Sequence, residues 1–150
     1  MQRPLRAKKE AFTLIELLIV VAIIGVLASL AVPRFQRAVE MARVAKAIGD
    51  IDAIQAELGS LDVLPTSLAA VNRLTFKDPW GKPYVYVKLE GTKGKGAARK
   101  DHFLVPLNSD YDLYSAGKDG QSSGPLTAKS SKDDVIRANN GGFIGLAARY

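Results

Sequence analysis

The sequence predicts an α+β protein with one N-terminal membrane anchor. A run of apolar residues at positions 11–32 is followed by a stretch, up to about position 58, whose apolar residues have helical spacing. Beyond it, short runs rich in β-branched and aromatic residues alternate with turns that contain Gly and Pro. Together these patterns indicate a long N-terminal helix, with a membrane half and an amphipathic half, that packs on a small antiparallel sheet.

The composition limits the classes of function. With 150 residues, the chain can hold the anchor and roughly one small domain. It has no cysteine, which excludes disulfide bonds, a thiolate nucleophile and a cysteine-ligated zinc. The single histidine, His102, cannot form a histidine metal site alone, and we expect it at the edge of a strand.

The net charge of +6 is partly a signal of membrane topology. Four basic residues and one acidic residue lie in the first eleven positions: Arg3, Arg6, Lys8, Lys9 and Glu10. Basic charge before a membrane helix favours a cytoplasmic N-terminus, so no nucleic-acid partner is expected. A second basic cluster lies in a Gly-rich stretch and is predicted to be a solvated loop, with an anionic partner as the alternative: Lys93, Lys95, Arg99 and Lys100.

The apolar run is long enough to cross a bilayer. A helix over residues 11–32 would span about 33 Å, close to the hydrocarbon thickness. A cleaved secretory signal usually has an apolar region of only about 7–15 residues. The run is therefore predicted to be a transmembrane helix, with the residues after Pro33 on the far side of the membrane.

Glu16 is the one charged residue in this run. A carboxylate at the centre of a membrane helix costs roughly 2.5–3.5 kcal/mol, which makes it a candidate functional residue. It has two interpretations. Either its carboxylate reaches the interface near Lys8 and Lys9, or it pairs with a cation from elsewhere.

The order of residues in "KKEAFTLIELLIVVAIIGVLASLAVPRF" favours the second interpretation. It closely resembles the class III signal peptide and N-terminal helix of type IV pilins and of the pseudopilins of type II secretion systems. The resemblance implies that a prepilin peptidase removes residues 1–11 by cutting between Ala11 and Phe12, and that Phe12 becomes N-methylated. Glu16 is then the fifth mature residue and neutralises the Phe12 amine of the next subunit in a filament, and Pro33 kinks the helix. Ala11 stands where the family usually has Gly, but processing is still expected because alanine is small.

The stretch after Pro33 is predicted to continue the helix, bent or broken at the proline, to Leu58. Its apolar face has three- and four-residue spacing: Met41, Val44, Ala45, Ile48, Ile51, Ile54 and Leu58. Gly59 and Ser60 are a plausible stop. The resulting division is a leader at 1–11, an anchor and assembly half at 12–33, and a pilin-like periplasmic domain at 34–150. In that domain we expect a short helix at 66–74 and strands at 84–89, 102–105 and 111–115.

The stretch "DYDLYSAGKDGQSSGPLTAKSSKDD" is rich in carboxylates and turn residues, which suits a hard cation such as calcium. It is not an EF-hand, but it resembles the calcium loop of major type II pseudopilins, as does the nearby turn "DPWG". The resemblance implies that Asp119 and either Asp133 or Asp134 bind calcium through their side chains. Backbone carbonyls around Leu113 and Ser115 would complete the site.

Asp134 has an alternative interpretation. Residues 131–134 form a capping box of the S-x-x-D type before "VIRAN", and residues 139–142 could end the helix that it would start. Asp134 would then be a helix cap, and the two interpretations are compatible if one Asp does each job. The tail "NNGGFIGLAARY" has no assigned function.

The sequence contains no catalytic constellation, so we do not expect an enzyme. The favoured hypothesis is a pseudopilin of the inner membrane that polymerises with itself into a periplasmic fibre for type II secretion. The implied partners are minor pseudopilins, the prepilin peptidase and the inner-membrane secretion platform. A type IV pilin for adhesion, motility or DNA uptake is the main alternative. A single-pass anchored binding module that does not polymerise is the third.

Overall fold

The computed structural model describes residues 12–89, 98–102 and 104–150. The chain divides into two compact units, and the boundary lies between Val39 and Glu40. The predicted leader at 1–11, which includes Lys8, Lys9 and Ala11, lies outside the described residues, as do Lys93 and Lys95.

The first unit contains the start of one long helix, α1, which spans Leu14–Gly59. By length and composition this helix can cross a membrane. Its apolar side chains up to Phe35 are exposed in the single chain, which suits a lipid or protein environment. The predicted bounds, Phe12 and Leu58, were correct to within two residues. Pro33 lies inside α1, and the kink predicted there stays a prediction.

The second unit begins with the last turns of α1, which supply one wall of the core. The fully buried residues of the helix are Ala47, Ile51, Ile54 and Leu58, at spacings of three and four. Met41 was predicted on this apolar face but is 68% exposed. Ala45 is also exposed, and Ala47 is buried in its place. The buried stripe is therefore shifted slightly around the helix.

Within the described part of the chain, the sheet has four antiparallel strands in chain order. They are β1 (Val85–Lys88), β2 (Tyr111–Ser115), β3 (Val135–Ala138) and β4 (Phe143–Leu146). The register pairs Val85 with Tyr114, Tyr114 with Ile136, and Ile136 with Gly145. The predicted α+β class is confirmed, but the sheet has one strand more than expected.

Both faces of the sheet contribute to a core. Tyr111, Leu113 and Val135 pack with the buried residues of α1. Ile136 and Ala138, which point the other way because strand side chains alternate, pack with Leu107, Leu126 and Ala147. The C-terminal tail thus covers the second face of the sheet, which gives it a structural role.

Two local predictions were wrong. The described residues of the predicted strand at 102–105, which are 102, 104 and 105, do not belong to a strand. Asp101 and Leu104 close a tight turn around His102, whose φ of 33° is in the left-handed region, and His102 is exposed rather than at a strand edge. The segment "VIRAN" does not form a helix, because Val135–Ala138 is strand β3. Asp134 is therefore not the cap of a helix there.

The short helix predicted at 66–74 is a single 3-10 turn, Leu68–Val71. Ser67 caps it, since its side chain accepts a hydrogen bond from the N–H of Ala69. Asn72 ends the turn in the left-handed conformation, with a φ of 56°. The turn places Leu68 in the core beside α1.

Candidate functional site

Thr13 and Glu16 form a capping box at the start of α1. Oε2 of Glu16 accepts a 2.8 Å hydrogen bond from the Thr13 N–H and another of 2.8 Å from the Thr13 hydroxyl. The Glu16 N–H donates back to Oγ1 of Thr13 at 3.3 Å. The spacing T-x-x-E is the standard sequence signal for this motif, and it was overlooked in the sequence. Among the described residues, the Glu16 side chain is therefore held by the first turn of its own helix.

Apolar side chains surround this cap. Phe12 is 88% exposed and Leu14 is 87% exposed, and Ile15 and Leu17 are also largely exposed. Both Thr13 hydrogen bonds end on the same oxygen of Glu16, Oε2. When lipid or other helices cover this surface, the carboxylate would lie in an apolar setting, and its partners among the described residues are the hydroxyl and the N–H of Thr13. A cation there would be strongly favoured.

The "DPWG" turn is fixed by the buried carboxylate of Asp78. Its Oδ1 accepts the N–H groups of Trp80 and Lys82 at 3.1 and 2.8 Å. Its Oδ2 accepts the hydroxyl of Ser115 at 2.5 Å. The Ser115 oxygen in turn accepts the N–H of Gly117 at 3.1 Å. The turn is thereby joined to the end of β2, where the predicted cation loop begins.

The predicted loop brings Asp119 and Asp133 together. Oδ2 of Asp133 accepts the N–H of Asp119 at 3.0 Å, and Oδ1 of Asp119 accepts the N–H of Gln121 at 2.7 Å. Gly117 has a φ of 63°, and a Cβ there would lie 2.3 Å from the carbonyl oxygen of Asp133. Only glycine therefore fits at this crossing of the loop.

Asp134, the residue after Asp133, forms a buried ion pair with Arg99. The guanidinium of Arg99 contacts Oδ2 of Asp134, and both side chains are almost completely buried. Ser122 bridges them, because its hydroxyl accepts from Arg99 at 2.7 Å and donates to Asp134 at 2.6 Å. Burial raises the pKa of the Asp134 carboxyl, while the bonds from Ser122 and Arg99 oppose that rise. Arg99 was predicted in a solvated loop, which is wrong.

The predicted calcium ligands, Asp119 and either Asp133 or Asp134 with the carbonyls around Leu113 and Ser115, stay a prediction. Among the described residues, no three acidic or histidine side chains cluster so as to hold a metal ion. Leu113 and Ser115, whose backbone carbonyls carry the prediction, are buried in β2. Oδ1 of Asp134 is buried and has no hydrogen-bond partner in the described chain, but a metal there would sit beside the guanidinium and be repelled by it. Calcium at Asp119 and Asp133 stays a prediction.

A second buried network joins α1 to the sheet. Arg137 of β3 donates to Gln55 of α1 at 2.6 Å and to both oxygens of Asp110 at 2.9 and 2.7 Å. Its guanidinium also lies 4.0 Å from the centre of the Tyr111 ring. The network fixes the helix against the strands through directional bonds as well as apolar packing.

Comparisons with known proteins define the class. Residues 6–32, a range that contains Ala11, Phe12 and Glu16, match the family model "Prokaryotic N-terminal methylation motif". An anchor helix with this motif, followed by a small antiparallel sheet, defines a membrane-anchored protein of the pilin-like class.

Relatives then define the family. The chain is 34% identical over 144 residues to the type II secretion system core protein G of Pseudomonas aeruginosa, which covers 79% of this chain and 90% of that protein. It is 34% identical over 139 residues to the Escherichia coli protein of the same name, with 76% and 85% covered. The chain belongs to the type II secretion system core protein G family.

A fimbrial protein of Pseudomonas aeruginosa is also similar, with 33% identity over 133 residues that cover 89% of this chain and 82% of that protein. No solved structure matched the chain. The relatives therefore include both secretion and fimbrial proteins, and several of those from different bacteria carry the secretion name.

Proposed function

We propose that the chain is a pseudopilin, a structural subunit and not an enzyme, that assembles into a periplasmic fibre for type II secretion. A prepilin peptidase would cut between Ala11 and Phe12 and methylate the new amine of Phe12. Mature subunits would then polymerise through their N-terminal helices. The observation that carries this proposal is the exposed apolar start of α1 with the Glu16 carboxylate held at its first turn.

The geometry suits a role for Glu16 in setting how neighbouring subunits align along the fibre. Cleavage would create an α-amine on Phe12, one residue before the hydroxyl and N–H that hold Glu16. In a bundle of such helices, the Glu16 carboxylate of one subunit can pair with the Phe12 amine of the next. A register error would leave both charges buried and unpaired, which costs far more than a lost surface ion pair. Glu16 would therefore select one register rather than add general stability.

Two substitutions of Glu16 distinguish the effect of its negative charge from the effect of its hydrogen bonds to Thr13. Glu16→Gln keeps an oxygen that can accept the Thr13 bonds but removes the charge, whereas Glu16→Ala removes both. We expect both variants to insert in the membrane and to be cleaved, and neither to form fibres visible by electron microscopy. Asp62→Ala, which removes an exposed carboxylate from the globular unit, is the matched control and should form normal fibres. Normal fibres from Glu16→Gln would refute the role of the charge.

The proposal includes an orientation and partners. The basic residues before the helix support an N-terminus in the cytoplasm, with residues 34–150 in the periplasm of a bacterial inner membrane. Minor pseudopilins and the inner-membrane secretion platform are the partners that the family implies. Protease added to spheroplasts should digest the globular unit, and digestion only after the membrane is permeabilised would contradict this orientation.

A type IV pilin is the second candidate, and the similarity to fimbrial proteins is the observation that favours it. A pilin would place filaments on the cell surface, whereas a pseudopilin would leave them in the periplasm at its normal level of expression. Immunogold labelling of intact and permeabilised cells distinguishes the two. Deletion of the gene should block secretion of exoproteins in the first case and adhesion or motility in the second.

A further inference from the structure

We propose that Arg99 is the resident cation of the connection between β2 and β3, so that the globular unit folds without a divalent metal. The connection comprises residues 116–134 and is the stretch in which the sequence predicts calcium. The inference concerns the stability of the globular unit and does not depend on fibre assembly. It rests on where the structure places Arg99, Asp134 and their neighbours.

The segment that contains Arg99 contacts the connection through the backbone of Lys100 and the side chain of Arg99. The N–H of its neighbour Lys100 donates a 3.0 Å hydrogen bond to the carbonyl of Gly124. The carbonyl of Lys100 accepts a 2.9 Å hydrogen bond from the N–H of Leu126. The Arg99 guanidinium then reaches Ser122 in the connection and Asp134 at its end. One residue thus joins the middle of the connection to the point where β3 begins.

The rest of the Arg99 environment keeps the guanidinium in place. Its carbon atom lies 4.0 Å from the centre of the Tyr114 ring in β2, a cation–π distance. The Arg99 N–H donates to Oδ2 of the buried Asp112 at 2.7 Å. The guanidinium is therefore sandwiched between the sheet and the connection, away from solvent, as a structural cation would be.

A second cation lies along the same connection. A Cβ on Gly120 would be 3.0 Å from Cε of Lys82 and 3.6 Å from its Nζ, so the ammonium group lies against the backbone next to Asp119. Lys82 belongs to the turn that Asp78 fixes. Positive charge from Arg99 and Lys82 thus lies close to the carboxylates of the connection, which lowers their need for a metal ion.

The test uses the full chain in detergent, with fluorescence of the single tryptophan, Trp80, to follow unfolding of the globular unit. We expect the same melting temperature with chelator and with millimolar calcium. Arg99→Met leaves Asp134 buried without its cation and should lower the melting temperature by about 10 °C or more. Adding Asp134→Leu to this variant removes the unpaired charge and should restore most of the loss. Arg73→Met, which breaks the partly exposed ion pair with Glu57, is the matched control and should cause a small loss.

Three outcomes would overturn the proposal. The first is a clear rise in the wild-type melting temperature with calcium, because a metal that binds only the folded state stabilises it by mass action. The second is a loss for Arg99→Met no larger than that for Arg73→Met. The third is a double variant no more stable than Arg99→Met. If Arg99→Met yields no folded protein, the wild-type comparison and the double variant still decide the matter.

Discussion

The indole N–H of Trp80 donates a 3.0 Å hydrogen bond to Oε1 of Glu40, which joins the "DPWG" turn to helix α1. Trp80 is only partly buried, and Glu40 is the first residue of the globular unit. The Asp78 carboxylate also fixes this turn, because it accepts hydrogen bonds from the N–H groups of Trp80 and Lys82. One turn thus connects the helix, β2 and the start of the connection to β3.

This bond gives the first prediction. Glu40→Ala should lower the free energy of unfolding by about 1 kcal/mol, because the indole N–H loses its partner. Glu40→Gln keeps an acceptor oxygen and should retain most of the stability. Urea unfolding followed by Trp80 fluorescence measures both changes. Equal losses for Gln and Ala would show that the hydrogen bond contributes nothing beyond the charge.

The second prediction concerns acid. Burial tends to raise the pKa of Asp110, but hydrogen bonds from Arg137 and from the Tyr111 N–H outweigh it, so the pKa lies below its ordinary value of 3.8. A lowered pKa in the folded state means that the bond contributes stability above the ordinary value. That contribution is lost as the pH falls through the folded value. Asp110→Asn should therefore be less stable than the wild type at neutral pH.

The measurement is the difference in melting temperature between wild type and Asp110→Asn, taken from neutral pH downward. The difference should shrink as the pH falls below the ordinary value of 3.8. A difference that is constant across this range would mean that the Asp110 charge has no part in the effect. Asp52→Asn, an exposed aspartate on α1, serves as the control and should show little difference at any pH.

The third prediction uses two glycines that both have positive φ. Gly117→Ala should lose roughly 1–3 kcal/mol more than Gly81→Ala. At Gly117 the new Cβ would lie 2.3 Å from a backbone oxygen of Asp133, whereas at Gly81 nothing lies within 4 Å. Both glycines have positive φ, so alanine is strained at either position. The difference between the two losses in free energy of unfolding therefore measures the cost of the clash between the new Cβ and Asp133. Similar losses would contradict the placement of Asp133 against Gly117.

The sequence predicted helix α1 well because its signals are local. Apolar spacing continues over many turns, and a Gly–Ser pair marks the end. The family resemblance was carried by the same local stretch, and the comparisons confirm it. The strands Val85–Lys88 and Tyr111–Ser115 were also found from their composition, to within two residues.

The sequence did not predict the hairpin of β3 and β4, because a local helix-capping pattern precedes a segment whose strand pairing depends on distant residues. Residues 131–134 match a capping box, which favours a helix, but Val135–Ala138 pairs with β2 and β4 instead. The signal that could have found the hairpin is "NNGG". Three of its residues, Asn139, Asn140 and Gly141, have positive φ between 52° and 93°.

Arg99 was misplaced for a similar reason. It follows a stretch rich in Gly and Lys, which predicts a solvated loop. Its partners Asp134 and Ser122 are distant along the chain. No spacing rule connects them. Only the fold, which pairs residue 100 with 124–126, brings the guanidinium to the carboxylate.

The most direct test of the account is the intact mass of the protein purified from its own membrane. We expect a chain that begins at Phe12 and carries one added methyl group on its amine. That result would provide the amine that Glu16 requires in an assembled fibre. A protein that still carries residues 1–11 would contradict the account and favour an anchored binding module that does not polymerise.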